Sequence, residues 1–288
     1  MPMRGFVLFV KMYIKGDSVM ASVTERINQI KQPYGGYVKL SDFEKVQFED
    51  GVTLNAEENV SGSLMGTASD YLVRLAVSGK TIGQVYGGAA LRGALIAEAC
   101  YKKSYGAFGI KNAFEVFKGL LCRIKGSDDE SLTAVLKLAA FDLWYRNPQA
   151  AIHAESYDAV NPDKAALQNL RTFGKRGKAF FEQYGPVTAS EFTFEPSGYT
   201  ETVNAGDGDY LTKDTLWDMK LYRSRLTSRH TLQVLMYWIM GQHSGQEIFR
   251  HITKIGLYNP RQNTAYILDT AKIAPEIIRE VEAKIICY

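Results

Sequence analysis

Two aspartates and a lysine are spaced in this sequence as a divalent-cation site would require. In Leu216-Trp217-Asp218-Met219-Lys220 the carboxylate and the ammonium stand two residues apart. In a strand that spacing puts both side chains on one face with Leu216, while Trp217 and Met219 point the other way. Asp209, at the end of Gly206-Asp207-Gly208-Asp209, precedes Asp218 by nine residues. That is enough for a tight turn to return an antiparallel strand and bring the two carboxylates together. Oxygen ligands suit Mg²⁺ or Mn²⁺, which keep several waters and take only one or two carboxylates, leaving room for a phosphate oxygen and an attacking water. The Met219 carbonyl could add a ligand. Lys220 beside the cation would hold or help deprotonate that water, or offset charge in the transition state, and its own pKa would fall. The chemistry so assembled is phosphodiester hydrolysis.

The neighbouring elements have to hold these groups in place. Residues 191–195 alternate apolar and polar, 199–203 repeat β-favouring types, and 216–221 read as a third strand. Ser228 is the expected cap of a helix over 229–242, on which Gln233 and Tyr237, four apart, share one face. Residues 252–258 and 265–268 form an expected hairpin through Asn259-Pro260-Arg261-Gln262-Asn263, and a last helix covers 275–286. Upstream, helical periodicity covers 61–78, with Ser61 as cap and Gly79 as stop, then 89–103 and 110–123. Ser127 and Glu130 form an expected capping box before 132–145, which Asn147-Pro148 halts, and a further helix spans 164–184. Residues 31–50 read as loop with a short extended piece. The order predicts an α/β (α+β) protein: a poorly defined segment over 1–60, a mainly helical region over 61–185, and a core of mixed sheet flanked by helices over 186–288.

The three pieces, Gly206 with Asp209, Asp218 with Lys220, and Gln233 with Tyr237, stand in the order GxxD, DxK, QxxxY. In this the stretch from about 190 to 270 resembles the PD-(D/E)XK nuclease superfamily, in particular its RecB-like exonuclease branch. The resemblance implies a restriction-endonuclease-like core, a Mg²⁺ or Mn²⁺ cofactor, DNA as substrate, exonuclease-like cutting, and catalytic roles for Asp209, Asp218, Lys220, Gln233 and Tyr237. Asp209 and Asp218 would hold the metal. The branch also tends to carry an upstream helical His or Glu. Gly93-Ala94-Leu95-Ile96-Ala97-Glu98 resembles that segment with Ala97 where His is expected, so Glu98 is offered as the further ligand, with Glu182 and Glu191 as rivals. Each motif alone arises by chance; their order carries the resemblance.

Composition sets looser bounds. The chain has 288 residues, 46% hydrophobic and 23% charged, with a net charge of +3, which is ordinary globular usage and excludes a disordered tail. Such mild basicity permits a polyanionic partner without arguing for one. Arg223, Arg225, Arg229 and His230 follow the DxK strand and could bind phosphates, although solvated loop charge explains them equally well. Arg171, Lys175, Arg176 and Lys178 form a second basic cluster that could contact DNA or merely keep a helix soluble. Most aromatic residues sit at core spacings, which favours packing over base stacking. His153, His230, His243 and His251 form no ligand pair. Cys100, Cys122 and Cys287 show no disulfide or zinc spacing, and a reducing cytoplasm is the expected location. The uncharged run Gly5 to Val10 is too short to span a membrane, so no membrane partner is expected, and Met20 offers an alternative start. The helical region could serve a protein partner or a second copy. The rival readings are a catalytically silent nuclease fold that binds nucleic acid or protein, and a structural protein with an accidental motif.

Overall fold

The structure, a computed structural model, describes residues 21–288; the expectations for Gly5 to Val10 and for a start at Met20 concern residues outside that range. In chain order the elements are α1 (Val23–Gln29), β1 (Glu44–Gln47), α2 (Gly62–Val77), α3 (Ile82–Tyr86), α4 (Ala89–Lys103), α5 (Ala113–Leu121), α6 (Asp129–Arg146), α7 (Pro148–His153) and α8 (Lys164–Tyr184). There follow β2 (Ala189–Phe192), β3 (Gly208–Leu211), β4 (Thr215–Met219), α9 (Ser228–Ser244), β5 (Lys254–Asn259), β6 (Thr264–Asp269) and α10 (Pro275–Glu280), which runs into a π-helical turn, Val281–Ile286. The described residues group into two compact units, 52–178 and 21–51 with 179–288, the division falling inside α8. No helix among them is long and apolar enough to cross a membrane.

The first unit is helical. Leu132, Val135, Leu136, Leu138, Phe141 and Trp144 of α6 are all buried, as befits a helix surrounded by others. Its cap is Asp128 and not the expected Ser127: the Asp128 carboxylate takes the Ser131 amide at 2.9 Å and the Ser131 hydroxyl at 2.8 Å. An acidic cap also complements the positive end of the helix. Helix α4 crosses α6 at Gly93, where a Cβ would stand 1.8 Å from the Phe141 carbonyl oxygen. Gly93, Ala94 and Ala97 are buried along this stripe, so the segment singled out for its resemblance serves close helix packing. The helix expected over 110–123 begins only after Asn112, which is left-handed at φ 52°. Of the second basic cluster, Arg171 donates to the Ser127 carbonyl and to Asp129, and Arg176 to the Val52 carbonyl. Both tie loops of this unit down.

The second unit is built on a six-stranded mixed sheet in the order β1-β6-β5-β4-β3-β2. Only β4 and β5 run parallel, because α9 connects them as a crossover; every other pair is antiparallel. The alternation read in 216–219 holds: Leu216 packs with Val234, Leu235 and Ile239 of α9 and with Ile255 and Leu257, while Trp217 faces the opposite side. There Phe180, at the end of α8, stacks on Tyr258 at 3.9 Å and meets the Trp217 edge at 4.8 Å. Gly256 makes room for that indole, since a Cβ there would lie 2.2 Å from its ring.

Several boundaries differ from expectation for local reasons. The middle strand is Gly208–Leu211 and not 199–203: Thr200 donates its amide to the Val203 carbonyl and its hydroxyl receives the Thr202 and Val203 amides. These bonds close a turn where a ladder was expected. The strand expected over 191–195 is shifted to Ala189–Phe192. Strand β4 ends at Met219, although the Lys220 amide still reaches the Tyr258 carbonyl at 2.8 Å. The cap of α9 is Thr227, one residue before Ser228. Residues 275–286 leave the α geometry after Glu280. The extended piece within 31–50 is an edge strand, β1, and α1 was not expected at all, although Ser22 and Glu25 form a reciprocal capping box.

Gly93→Ala should therefore lower stability to denaturant by about 2 kcal/mol or more, since backbone and not a flexible side chain must give way. Gly119→Ala in α5, where a Cβ meets nothing within 4 Å, should be neutral or stabilise by up to about 1 kcal/mol. Urea midpoints of both variants against the parent chain check the pair.

Candidate active site

Strand register brings the two aspartates together. Tyr210 pairs with Trp217 and Leu211 with Leu216, so the next rung sets Asp209 across from Asp218. Side chains on one antiparallel rung point to the same face. Asp209 further secures the join, because its Oδ2 accepts the Met219 amide at 2.8 Å. Met219 thus contributes its amide to the frame, at the carboxyl end of β4 where its carbonyl also lies.

Lys220 folds back over Asp218, its Nζ 3.0 Å from one carboxylate oxygen and 2.7 Å from the other. The Asp218 side chain is 1% exposed and that of Lys220 18%. Burial disfavours the ammonium, but attraction by Asp218 and then Asp209 outweighs it and holds the Lys220 pKa above its ordinary value. The expected fall belongs to a lysine beside a cation; here the attraction of Asp218, Asp209 and, less, Tyr222 reverses the direction. Removing either member of such a buried pair costs on the order of 3–5 kcal/mol, since the other is left uncompensated.

Helix α9 carries the remaining members. Gln233 Nε2 donates to the Tyr237 hydroxyl at 2.9 Å, so the expected shared face is a bonded pair. Tyr237 is buried and stacks on Phe194. Burial first, then the charges of Asp218 and Asp209, push its phenol well up, which puts the ring within the field of the aspartates and keeps it protonated. The glycine of the GxxD turn adjoins the same ring: Gly206 has φ 155°, and a Cβ there would approach Tyr237 at 3.5 Å and Val23 at 3.0 Å. Arg223, Arg225 and Arg229 are all exposed.

The three rival acids fall in different places. Glu191 stands on β2 across from Asp209, between the pairs Ser190 with Tyr210 and Phe192 with Gly208, but leaves the ladder there at φ 54°. Glu182 is exposed on the last turn of α8. Glu98 belongs to the helical unit, where Lys102 at 2.5 Å and the Phe114 amide at 3.1 Å hold its carboxylate and lower its pKa. Among the described residues no group of three or more His, Cys, Asp or Glu side chains is set to hold a metal. Asp209 and Asp218 alone meet the one or two carboxylates that Mg²⁺ requires, with water completing its shell.

His230, read from the sequence with the arginines as a possible phosphate contact, is instead buried. Its Nδ1 accepts the Thr227 amide at 2.9 Å, closing the start of α9, and its ring meets Tyr222 at 4.5 Å. The signal was present as Thr227-x-x-His230, a capping-box spacing with His in place of Glu or Gln. Burial, then repulsion from Lys220 and Arg229, lower its pKa from 6.5 to about 4. A histidine depressed on folding is protonated first in the unfolded chain. Its contribution is therefore complete above pH ~6.5 and is lost as pH falls toward the folded value, by at most about 3 kcal/mol. His230→Gln keeps a capping acceptor without the titration. Thermal unfolding between pH 7 and 4.5 should show a shallower loss of melting temperature in the variant; equal slopes would remove His230 from the acid response.

No protein-family model, curated protein or solved structure matches this chain, and its function has to be read from the carboxylates, lysine and helix face described above.

Proposed function

We propose that this chain is a Mg²⁺- or Mn²⁺-dependent nuclease that hydrolyses phosphodiester bonds of DNA, in the manner of the RecB-like branch of the PD-(D/E)XK superfamily. The observation that carries the reading is the rung that sets Asp209 across from Asp218 with Lys220 folded over them. Its position adds support. In sheets with parallel strands, ligands are met outside the carboxyl ends, and Lys220 stands there, between β4 and the start of the α9 crossover. A mixed sheet flanked by helices is also the framework that the resemblance implies.

Asp209 and Asp218 would hold the cation. Bound there, Mg²⁺ or Mn²⁺ supplies Lewis acidity toward a phosphodiester oxygen and lowers the pKa of a water. Lys220, charged and fixed by its ion pair, would offset negative charge as the phosphate becomes five-coordinate, or hold the attacking water by donating a hydrogen bond to it. Gln233 and Tyr237 present a bonded amide and a phenol that stays protonated, both fit to orient a phosphate or Lys220 but not to act as bases. Arg223, Arg225 and Arg229, exposed after β4, would take flanking phosphates.

One observation favours a second reading, that of a catalytically silent nuclease fold. Both oxygens of Asp218 already contact Lys220, and no third acid converges on the pair among the described residues. Cleavage of linear duplex, circular and single-stranded DNA with Mg²⁺ or Mn²⁺ separates the two. Under the nuclease reading, Lys220→Ala, Asp218→Asn and Asp209→Asn each lower the rate by at least about a hundredfold with the fold retained by circular dichroism. Mn²⁺ should also raise the melting temperature of the parent chain and not that of Asp209→Asn. Unchanged cleavage in these variants would remove the chemistry from this site, and no cleavage with no Mn²⁺ effect would leave the silent fold.

A further inference from the structure

Lys220 stands one residue beyond the end of β4, so its place over Asp218 depends on what holds the chain after the strand. A lysine has a long, flexible stem and would leave Asp218 if its backbone turned. The hold comes from β5, the parallel neighbour of β4. Met219 pairs with Tyr258, and the Lys220 amide donates to the Tyr258 carbonyl at 2.8 Å. The next residue of β5, Asn259, is 0% exposed, and its Nδ2 donates to the Tyr222 carbonyl at 2.9 Å. Gln262 Nε2, from the turn into β6, donates to the Arg223 and Ser224 carbonyls, each at 3.1 Å. Three consecutive carbonyls of the loop after Lys220 are thus held by side chains of one hairpin.

The Asn259 amide is committed at both ends. Its Oδ1 accepts the Arg261 amide at 3.1 Å and the Gln262 amide at 3.4 Å. Backbone amides only donate and a carbonyl only accepts, so the oxygen must face the hairpin turn and the nitrogen the loop. The turn itself is well fixed. Asn259 pairs with Thr264 in the ladder, and the Tyr258 hydroxyl donates to Asn263, which is left-handed at φ 48°. Tyr222 passes the hold toward the site, because its ring edge meets His230 at 4.5 Å and it lies within the electrostatic reach of Lys220.

We infer that Asn259 is a positioning residue for Lys220, gripping the chain beyond the lysine so that its ammonium stays over the rung of Asp209 and Asp218. The backbone is then fixed at the Lys220 amide and again at the Tyr222 carbonyl, both from β5. Gln262 extends the same grip. The inference rests on the proposed chemistry of the site and adds to it a residue outside its three motifs. Asn259→Asp isolates the decisive bond, since a carboxylate still accepts the Arg261 and Gln262 amides but cannot donate to the Tyr222 carbonyl. Gln262→Ala is the milder, uncharged counterpart.

Nuclear magnetic resonance of the chain labelled with ¹⁵N-lysine, free of metal and nucleic acid, tests it without recourse to cleavage. The ammonium signal that Lys220→Ala removes belongs to Lys220, and its ion pair protects those protons from water. That signal should be lost to exchange in Asn259→Asp and weakened in Gln262→Ala. In cleavage, Asn259→Asp should lower kcat about tenfold or more with KM within about twofold, and add nothing to Lys220→Ala. A Lys220 signal unchanged in both variants overturns the inference, as does a rate loss that adds in full to that of Lys220→Ala. If Asn259→Asp does not fold, Gln262→Ala decides by the same readings. A signal that responds as expected in a parent chain that cuts no DNA sinks the nuclease and keeps the positioning role.

Discussion

Everything at the candidate site hangs on the pairing of β3 with β4. A slip of one residue would carry Asp209 to the opposite face of the sheet, away from Asp218 and Lys220, and would put Tyr210 into the α9 core. Several local features hold the register against that slip. Trp217 and Tyr210 fill the aromatic layer on one face, Leu216 and Leu211 fill the α9 layer on the other, and the Thr212 hydroxyl receives the indole N–H at 3.2 Å. The bond from the Met219 amide to Asp209 then couples the carboxylate to the backbone that carries Asp218.

The same pairing explains how a buried carboxylate is tolerated at all. An isolated charge as buried as Asp218 would be protonated or destabilising; a lysine two residues on, emerging at the strand end, stays close enough to neutralise it and open enough to remain hydrated on one side. Asp142 in the helical unit shows the contrast. It too is buried, with Arg146 at 3.2 Å, yet burial outweighs the attraction of a half-exposed Arg146 and of Arg74 and raises its pKa.

The sequence was informative where side-chain identity controls geometry through a short period. Alternation across 216–219 identified the face shared by Leu216 and Asp218, and four-residue spacing identified the Gln233–Tyr237 pair. It was less informative where hydrogen bonds between neighbouring residues compete with a ladder. Tyr199 to Val203 have β-favouring types, but Thr200 closes a turn with its own hydroxyl, so the strand that carries Asp209 lies further on. Nor could spacing reveal that Gly93 is a helix crossing, or that Asn259 and Gln262 reach back to hold the loop after Lys220, since both depend on contacts distant along the chain. β1 was legible only as a short extended piece without bounds for the same reason: a four-residue edge strand takes its conformation from β6.

The cap on α9 fixes more than a helix end. A backbone amide can only donate, so the Nδ1 that meets Thr227 must present its lone pair, and the single proton of the neutral ring resides on Nε2. That tautomer leaves His230 a donor with no basic nitrogen to spare. The imidazole nearest Lys220 is thereby withdrawn from acting as a base or binding a cation while the cap holds, and any proton that moves beside Asp218 has to move among carboxylates, an ammonium and water.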